Sequence, residues 1–335
     1  MHVPKEMNVN KDNSMLELLD IDGAVRNDAR YLYENEDYVQ SANCLFHFMS
    51  EADFLFDTLN RKALCPRYNA EDVEFLNIQN DSIKFERLAV LQKCFCDISL
   101  RNIFRPFSIE LTENNTLTNE EKAKIPKTLT HYDLYGQYAI GFTKKWGEKS
   151  KLQPIHYINE KSDLALLFSQ SLNTSLSEEN LPDDISDAML NLLGFLKPLR
   201  GKMLHRVYDS DNKKHEIEMF KNFHDEKEWR YVPYNLIIDE QPIDGIIANP
   251  NITKDSGLLR YLSDKIKDDA YREIWLHFDY DDIRYILVPD KSGRKQLIDT
   301  IVNMDIKLFE KENENAEKNM LISKILVLDE IEKDF

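Results

Sequence analysis

Glycine is scarce, with nine residues in a chain of 335. Neither G-x-G-x-x-G nor G-x-x-x-x-G-K-[ST] occurs. That removes the Rossmann turn and the P-loop, both of which need glycines to bring backbone N–H groups up to phosphate. Cysteine is sparser still: Cys44, Cys65, Cys94 and Cys96 are the whole complement, too few for a disulfide framework. Cys94 and Cys96 fall on one face of an extended strand, but no C-x-x-C or H-x-x-x-H accompanies them. Zinc is therefore not expected, nor any other metal, and buried thiols in a reducing cytoplasm account for all four. No apolar run reaches the roughly 18 residues of a membrane span, and the opening "MHVPKEMNVNKDN" has no apolar signal core. These absences predict a cytoplasmic protein without membrane contact.

Positive charge is also in deficit. Against 60 Asp and Glu stand 43 Lys and Arg, a net charge of −17. Nucleic-acid affinity rests on cations displacing counterions from phosphate, so a broad nucleic-acid surface is excluded and only a local basic groove remains. The best candidate is "KPLRGKMLHRV", with Lys197, Arg200, Lys202 and Arg206 and no acid among them. Its plain reading is a solvated loop between helix and strand.

Hydrophobic residues make up 42% and aromatics 10%, enough for a real core. Three regions are expected: a polar arm over 1–40, a core over 41–303 with a helical insertion at about 161–200, and a charged tail over 304–335. "CLFHF" reads as a strand, followed by a helix with Ser50 as N-cap and Phe54, Leu55 and Leu59 as its buried stripe. "RLAVLQKCFC" is a second strand. "YGQYAIGFTKKWGEKSKLQPIHYIN" reads as a hairpin turning at Trp146-Gly147. "MLHRVYD" and "HEIEMF" are strands joined by "SDNKK", and "EKENENAEKN" is a solvated helix. Strands and helices mix without a βαβ rhythm, so the fold class is α+β.

Several residues could carry chemistry. His47 is polar inside an apolar strand, where a satisfied core histidine is the plain alternative. Arg67 has the planar fork that suits phosphate, or a surface ion pair. Tyr135 and Tyr138 flank Gly136, a glycine that permits close approach of a backbone or a planar ligand. In "EKEWRYVP", Glu228, Arg230 and Val232 share one strand face, and Trp229 and Tyr231 the other. A rigid carboxylate beside aromatic walls can stabilise a sugar cation or orient a ribose hydroxyl. The plain alternative is a Glu–Arg ion pair.

The ordered blocks "LFHFMSEADFLFDTLNRKALCPRY", "CFCDISL", "YGQYAIGFTKKWGEKSKLQPIHYIN", "EKEWRYVP" and "IRYILVP" resemble the AbiGi family of abortive-infection phage-resistance proteins. That resemblance implies the antitoxin half of a two-gene system whose partner is a nucleotidyltransferase-like toxin, and a fold used as a scaffold. The same blocks are more distantly similar to DarT-type ADP-ribosyltransferases, which implies split antiparallel sheets with inserted helices and NAD as co-substrate. Under that similarity Glu228 is the catalytic acid and His47 contacts the nicotinamide-side ribose. Arg67 meets the NAD phosphates, Tyr135 or Tyr138 stacks on nicotinamide, and Arg230 joins the cofactor-binding set. Lys197, Arg200, Lys202 and Arg206 would then guide a nucleic-acid acceptor, and the expected function is an NAD-dependent ADP-ribosyltransferase of a phage-defence system, with a non-catalytic antitoxin as the alternative.

Overall fold

The structure is a computed structural model describing residues 41–80, 83–177, 183–233, 236–238, 241–309 and 313–334. The chain divides into two units, Met1–Val39 and Gln40–Phe335; the expected arm over 1–40 lies outside the described residues.

Apolar alternation makes β1 (Cys44–Met49), and the chain turns into α1 (Ala52–Arg61). Glu51, not Ser50, occupies the N-cap, and it makes no side-chain capping bond. Leu55 and Leu59 are fully buried, but Phe54 is 47% exposed. One position costs 100° of rotation on a helix, which carries Phe54 off the stripe centred on Leu55. Lys62 ends α1 in the left-handed region, its N–H closing on the carbonyls of Thr58 and Leu59.

β2 (Arg67–Asp72) and the ten-residue β3 (Arg87–Cys96) follow. β4 (Tyr138–Thr143) leads into the short helix Lys144–Lys149, then β5 (Gln153–Pro154) and β6 (His156–Ile158). The expected hairpin is therefore replaced by strand–helix–strand. Thr143 caps the helix by accepting the Trp146 N–H, and Trp146 is buried against Phe142, ring centroids 4.2 Å apart. Burying that indole outweighs a tight turn.

Helices α2 (Asp163–Ser177) and α3 (Asp183–Leu193) precede β7 (Leu196–Pro198), β8 (Arg200–Tyr208) and β9 (Lys214–Asn222). "KPLRGKMLHRV" is thus two strands rather than a loop. β6 and β7 pair in parallel, while β8 and β9 form a long antiparallel hairpin. Next come β10 (Glu228–Tyr231), β11 (Ile246–Ile247), α4 (Ser256–Lys265), β12 (Ile283–Val288) and α5 (Lys291–Val302). α6 (Glu314–Ser323) and β13 (Ile325–Val327) follow, and then a short helix, Leu328–Ile331.

The main sheet runs β5–β10–β3–β1–β4–β12–β13, with β2 and β11 also paired to β3. All its pairs are antiparallel except β12–β13. Helices and mostly antiparallel sheets are mixed. Leu45, Phe95, Ile140 and Ile286 pack on one face with Leu55 of α1 and Leu297 of α5. Phe46, Ala139 and Leu287 pack on the other. α2 and α3 bury Ala165, Leu172 and Leu193 against Leu88 and Val90 of β3. The acidic helix α6 is not simply solvated, since Leu321 and Lys318 are buried, and Lys318 Nζ donates to the carbonyls of Val302 and Met304.

Candidate functional site: a buried ion network

Strand register decides which side chains can meet. Glu228 lies opposite Cys96 and Arg230 opposite Cys94 across the β10–β3 ladder, and Phe46 of β1 is also opposite Cys96. Side chains alternate along each strand. Glu228, Arg230, Cys94 and Cys96 therefore share a face with Phe46, whereas His47, Phe95 and Trp229 take the other. The sheet itself separates Glu228 from His47, so the two cannot act on one bound molecule.

On its own face Glu228 is closely held. It is 4% exposed and Arg230 is 0% exposed. Arg230 Nε donates to Glu228 Oε1 at 2.8 Å, and Lys197 Nζ donates to Glu228 Oε2 at 3.0 Å. The same ammonium donates to Glu226 Oε2 at 3.0 Å, and the Tyr135 hydroxyl donates to Glu226 Oε1. Arg230 Nη1 donates to the Gly194 carbonyl at 2.6 Å, while its Nη2 stands 3.4 Å from Glu71 Oε2. The Tyr157 hydroxyl accepts the Glu228 backbone N–H at 2.8 Å.

Burial works against the Glu228 carboxylate, but Arg230 and then Lys197 outweigh it and hold its pKa well below the usual range. Burial likewise opposes charge on Lys197, and Glu226 and Glu228 more than reverse it. The Cys94 and Cys96 thiols are pushed far up, by burial first and then by the neighbouring carboxylates. They are inert thiols rather than nucleophiles. Gln92 Oε1 and Arg230 Nη2 are two of the buried polar atoms that have no hydrogen-bond partner among the described residues.

Above the network lies a groove of about 650 Å³ whose lining includes Glu71, Tyr135, Lys197 and Lys202. Glu228 sits one layer below, behind Lys197. The proposed basic patch is divided by this arrangement. Lys197 turns inward, and Arg200, Lys202 and Arg206 occupy alternate, exposed positions of β8. Arg200 pairs with Glu110, and Arg206 with Glu216 at 3.4 Å.

The tyrosines are divided as well. Tyr135 joins the network, whereas Tyr138 stands opposite Met49 in the β1–β4 ladder, on the His47 face. Between them Gly136 has φ 109°, and a Cβ there would collide with the Met49 carbonyl. The glycine serves the approach of a backbone, not of a planar ligand. His47 Nδ1 lies 2.9 Å from the Cys94 carbonyl; since a carbonyl only accepts, that nitrogen carries the proton. Burial and then Lys93 hold the imidazole neutral. Arg67 is exposed at the start of β2, opposite Gln92. Sequence reasoning did not single out Glu226, Glu71, Tyr157 or Lys93. Two signals were available: Glu226 lies two residues from Glu228, and Lys93 stands between core-facing Leu91 and Phe95.

Residues 125–289 match the family model described as "Putative abortive phage resistance protein AbiGi, antitoxin". The abortive phage resistance protein AbiGi of Lactococcus lactis subsp. cremoris is 31% identical over 286 residues, covering 82% of this chain and 100% of that protein. This chain belongs to the AbiGi family. The segment matched by the AbiGi model holds Tyr135, Lys197, Glu226, Glu228 and Arg230, while His47, Arg67 and Glu71 precede it. No solved structure matches this AbiGi-family chain significantly. Among the described residues no helix is long and apolar enough to cross a membrane.

Proposed function

We propose that this AbiGi-family protein is a non-catalytic antitoxin that neutralises a partner toxin in a phage-defence system. The observation that carries this reading is the state of Glu228, whose two carboxylate oxygens are engaged by Arg230 and Lys197. ADP-ribosyl transfer needs a carboxylate that faces the departing nicotinamide and strengthens its contact as positive charge develops. A carboxylate already neutralised by two buried cations has no such reserve. The His47 side chain, across the sheet, cannot complete an NAD site with it. The family description as an antitoxin supports the same conclusion. The net charge of −17 fits a protein that masks a basic partner.

Two measurements test the proposal. Expression of the chain alone should leave growth unaffected, and co-expression with the toxin of its two-gene system should restore growth that the toxin alone arrests. Purified protein incubated with labelled NAD, DNA, RNA and lysate protein should transfer no label. Label transfer by the wild type that Glu228→Gln abolishes would replace the antitoxin with an ADP-ribosyltransferase built on split antiparallel sheets, and would identify its acceptor.

A further inference from the structure

Helix α2 breaks the charge pattern of the chain. Charged residues make up 31% of the sequence, yet from Leu164 to Ser177 there is no Asp, Glu, Lys or Arg. At 100° per residue, Ala165 and Leu172 fall on one side of α2 and are buried against Leu88 and Val90 of β3. Leu164, Leu166 and Leu167 turn away from that contact, and each is more than half exposed. Gln170, Ser171 and Thr174 complete the exposed side. Among the described residues every other helix presents at most one large apolar side chain to solvent: Phe54 on α1, Leu192 on α3, Tyr261 on α4, Val302 on α5 and Met320 on α6.

The spacing of the exposed side is that of a two-helix seam. Leu164, Leu167, Ser171 and Thr174 follow one another at intervals of three, four and three, the a and d positions of a heptad. With a second α2 lying antiparallel on this seam, Leu164 faces Thr174 of the second copy and Leu167 faces its Ser171. Each long side chain meets a short one, so the face is complementary to itself, as a two-fold interface requires. Charge selects the same occupant. At −17, two copies repel each other wherever their acidic surfaces meet, and this uncharged face is where approach is least opposed. A basic toxin is drawn by the acidic surface and gains no charge pairing here.

We infer that α2 is the surface through which two copies of this chain associate, with the two-fold axis midway between Leu167 and Ser171. Removing the exposed leucines from water drives the association, and the missing charges are what allow it between two acidic chains. This interface goes beyond the antitoxin reading and does not depend on it.

The test uses the full chain. Sedimentation equilibrium should give twice the mass of the chain at high protein concentration, resolving into monomers on dilution. Added salt should tighten the association, because it screens the repulsion between acidic copies. Leu167→Asp puts two carboxylates into the seam and should weaken association by about tenfold or more, while Tyr261→Asp on α4 should leave it unchanged. Leu167 is exposed in the single chain, so the urea midpoint of the monomeric variant should match that of the diluted wild type. The register is read by mixing Leu167→Cys with Ser171→Cys under mild oxidation, and the mixture should cross-link faster than either variant alone. A wild type that stays monomeric at every concentration, or a dimer that Leu167→Asp leaves intact, overturns the interface. A monomeric wild type whose Leu167→Asp variant loses toxin neutralisation also overturns it, and gives the face to the toxin.

Discussion

Along the middle of β3, Glu228, Arg230, Lys197, Glu226 and Glu71 satisfy one another on one face, while Lys93 stands unmatched on the other. The difference follows from solvent. Charges withdrawn from water need partners and hydrogen bonds, or the desolvation cost dominates. Lys93 is only half-buried, so water supports what no acid does. The first face should therefore contribute fold stability, and the second should oppose it.

The largest test is Glu228→Ala. It leaves Arg230 fully buried with the Gly194 carbonyl and one distant acid, Glu71, and leaves Lys197 with only Glu226 as an acid partner. Removing one member of a buried ion set costs about 3–5 kcal/mol, read as a lower urea midpoint. A cost below about 1 kcal/mol would mean that Glu228 is free for chemistry and would reopen the transferase reading.

Lys93→Met should move in the opposite direction. The folded pKa of Lys93, about 8, lies below its unfolded value of about 10.4. Between those values the unfolded chain binds more protons, so stability rises with pH by up to about 1.4 kcal/mol per unit. Below pH 8 the full penalty applies. The variant lacks this titration and should be more stable than wild type at pH 7, with the advantage shrinking as pH climbs from 8 to 10. A difference between the two proteins that does not change with pH would show that Lys93 is not desolvated, and the contrast between the faces would be lost.

Much of this contrast lay beyond the reach of sequence. Period-2 alternation made β1, β3 and the β8–β9 hairpin legible, and it placed Glu228 with Arg230 on one face because that relation spans two residues. The relation of His47 to Glu228 depends on the register of Phe46, Cys96 and Glu228, set by packing between three separate segments. Lys197 read as one member of a basic stretch because its partners lie 29 and 31 residues away. Lys93 was passed over in "LQKCFC", although a lysine flanked by core-facing Leu91 and Phe95 was itself a signal. The hairpin expected around Trp146 failed because an aromatic core residue, rather than a turn signal, fixes that segment.

The smallest effect belongs to the hairpin, where charge is neither buried nor unmatched. Arg206 and Glu216 face each other across β8 and β9 with side chains 67% and 59% exposed. Exposed pairs of this kind contribute about 0–1 kcal/mol and are screened by salt. Arg206→Ala should change stability by no more than about 0.5 kcal/mol, and the change should vanish at high ionic strength. If the variant instead lost several-fold in toxin neutralisation at unchanged stability, the exposed face of β8, with Leu204 and Tyr208 beside Arg206, would be the surface that meets the partner. Neither face of β3 would then be the contact region. The buried network would serve only to hold that hairpin in place, since Lys197, the residue that anchors it to Glu228, lies three positions before β8 begins.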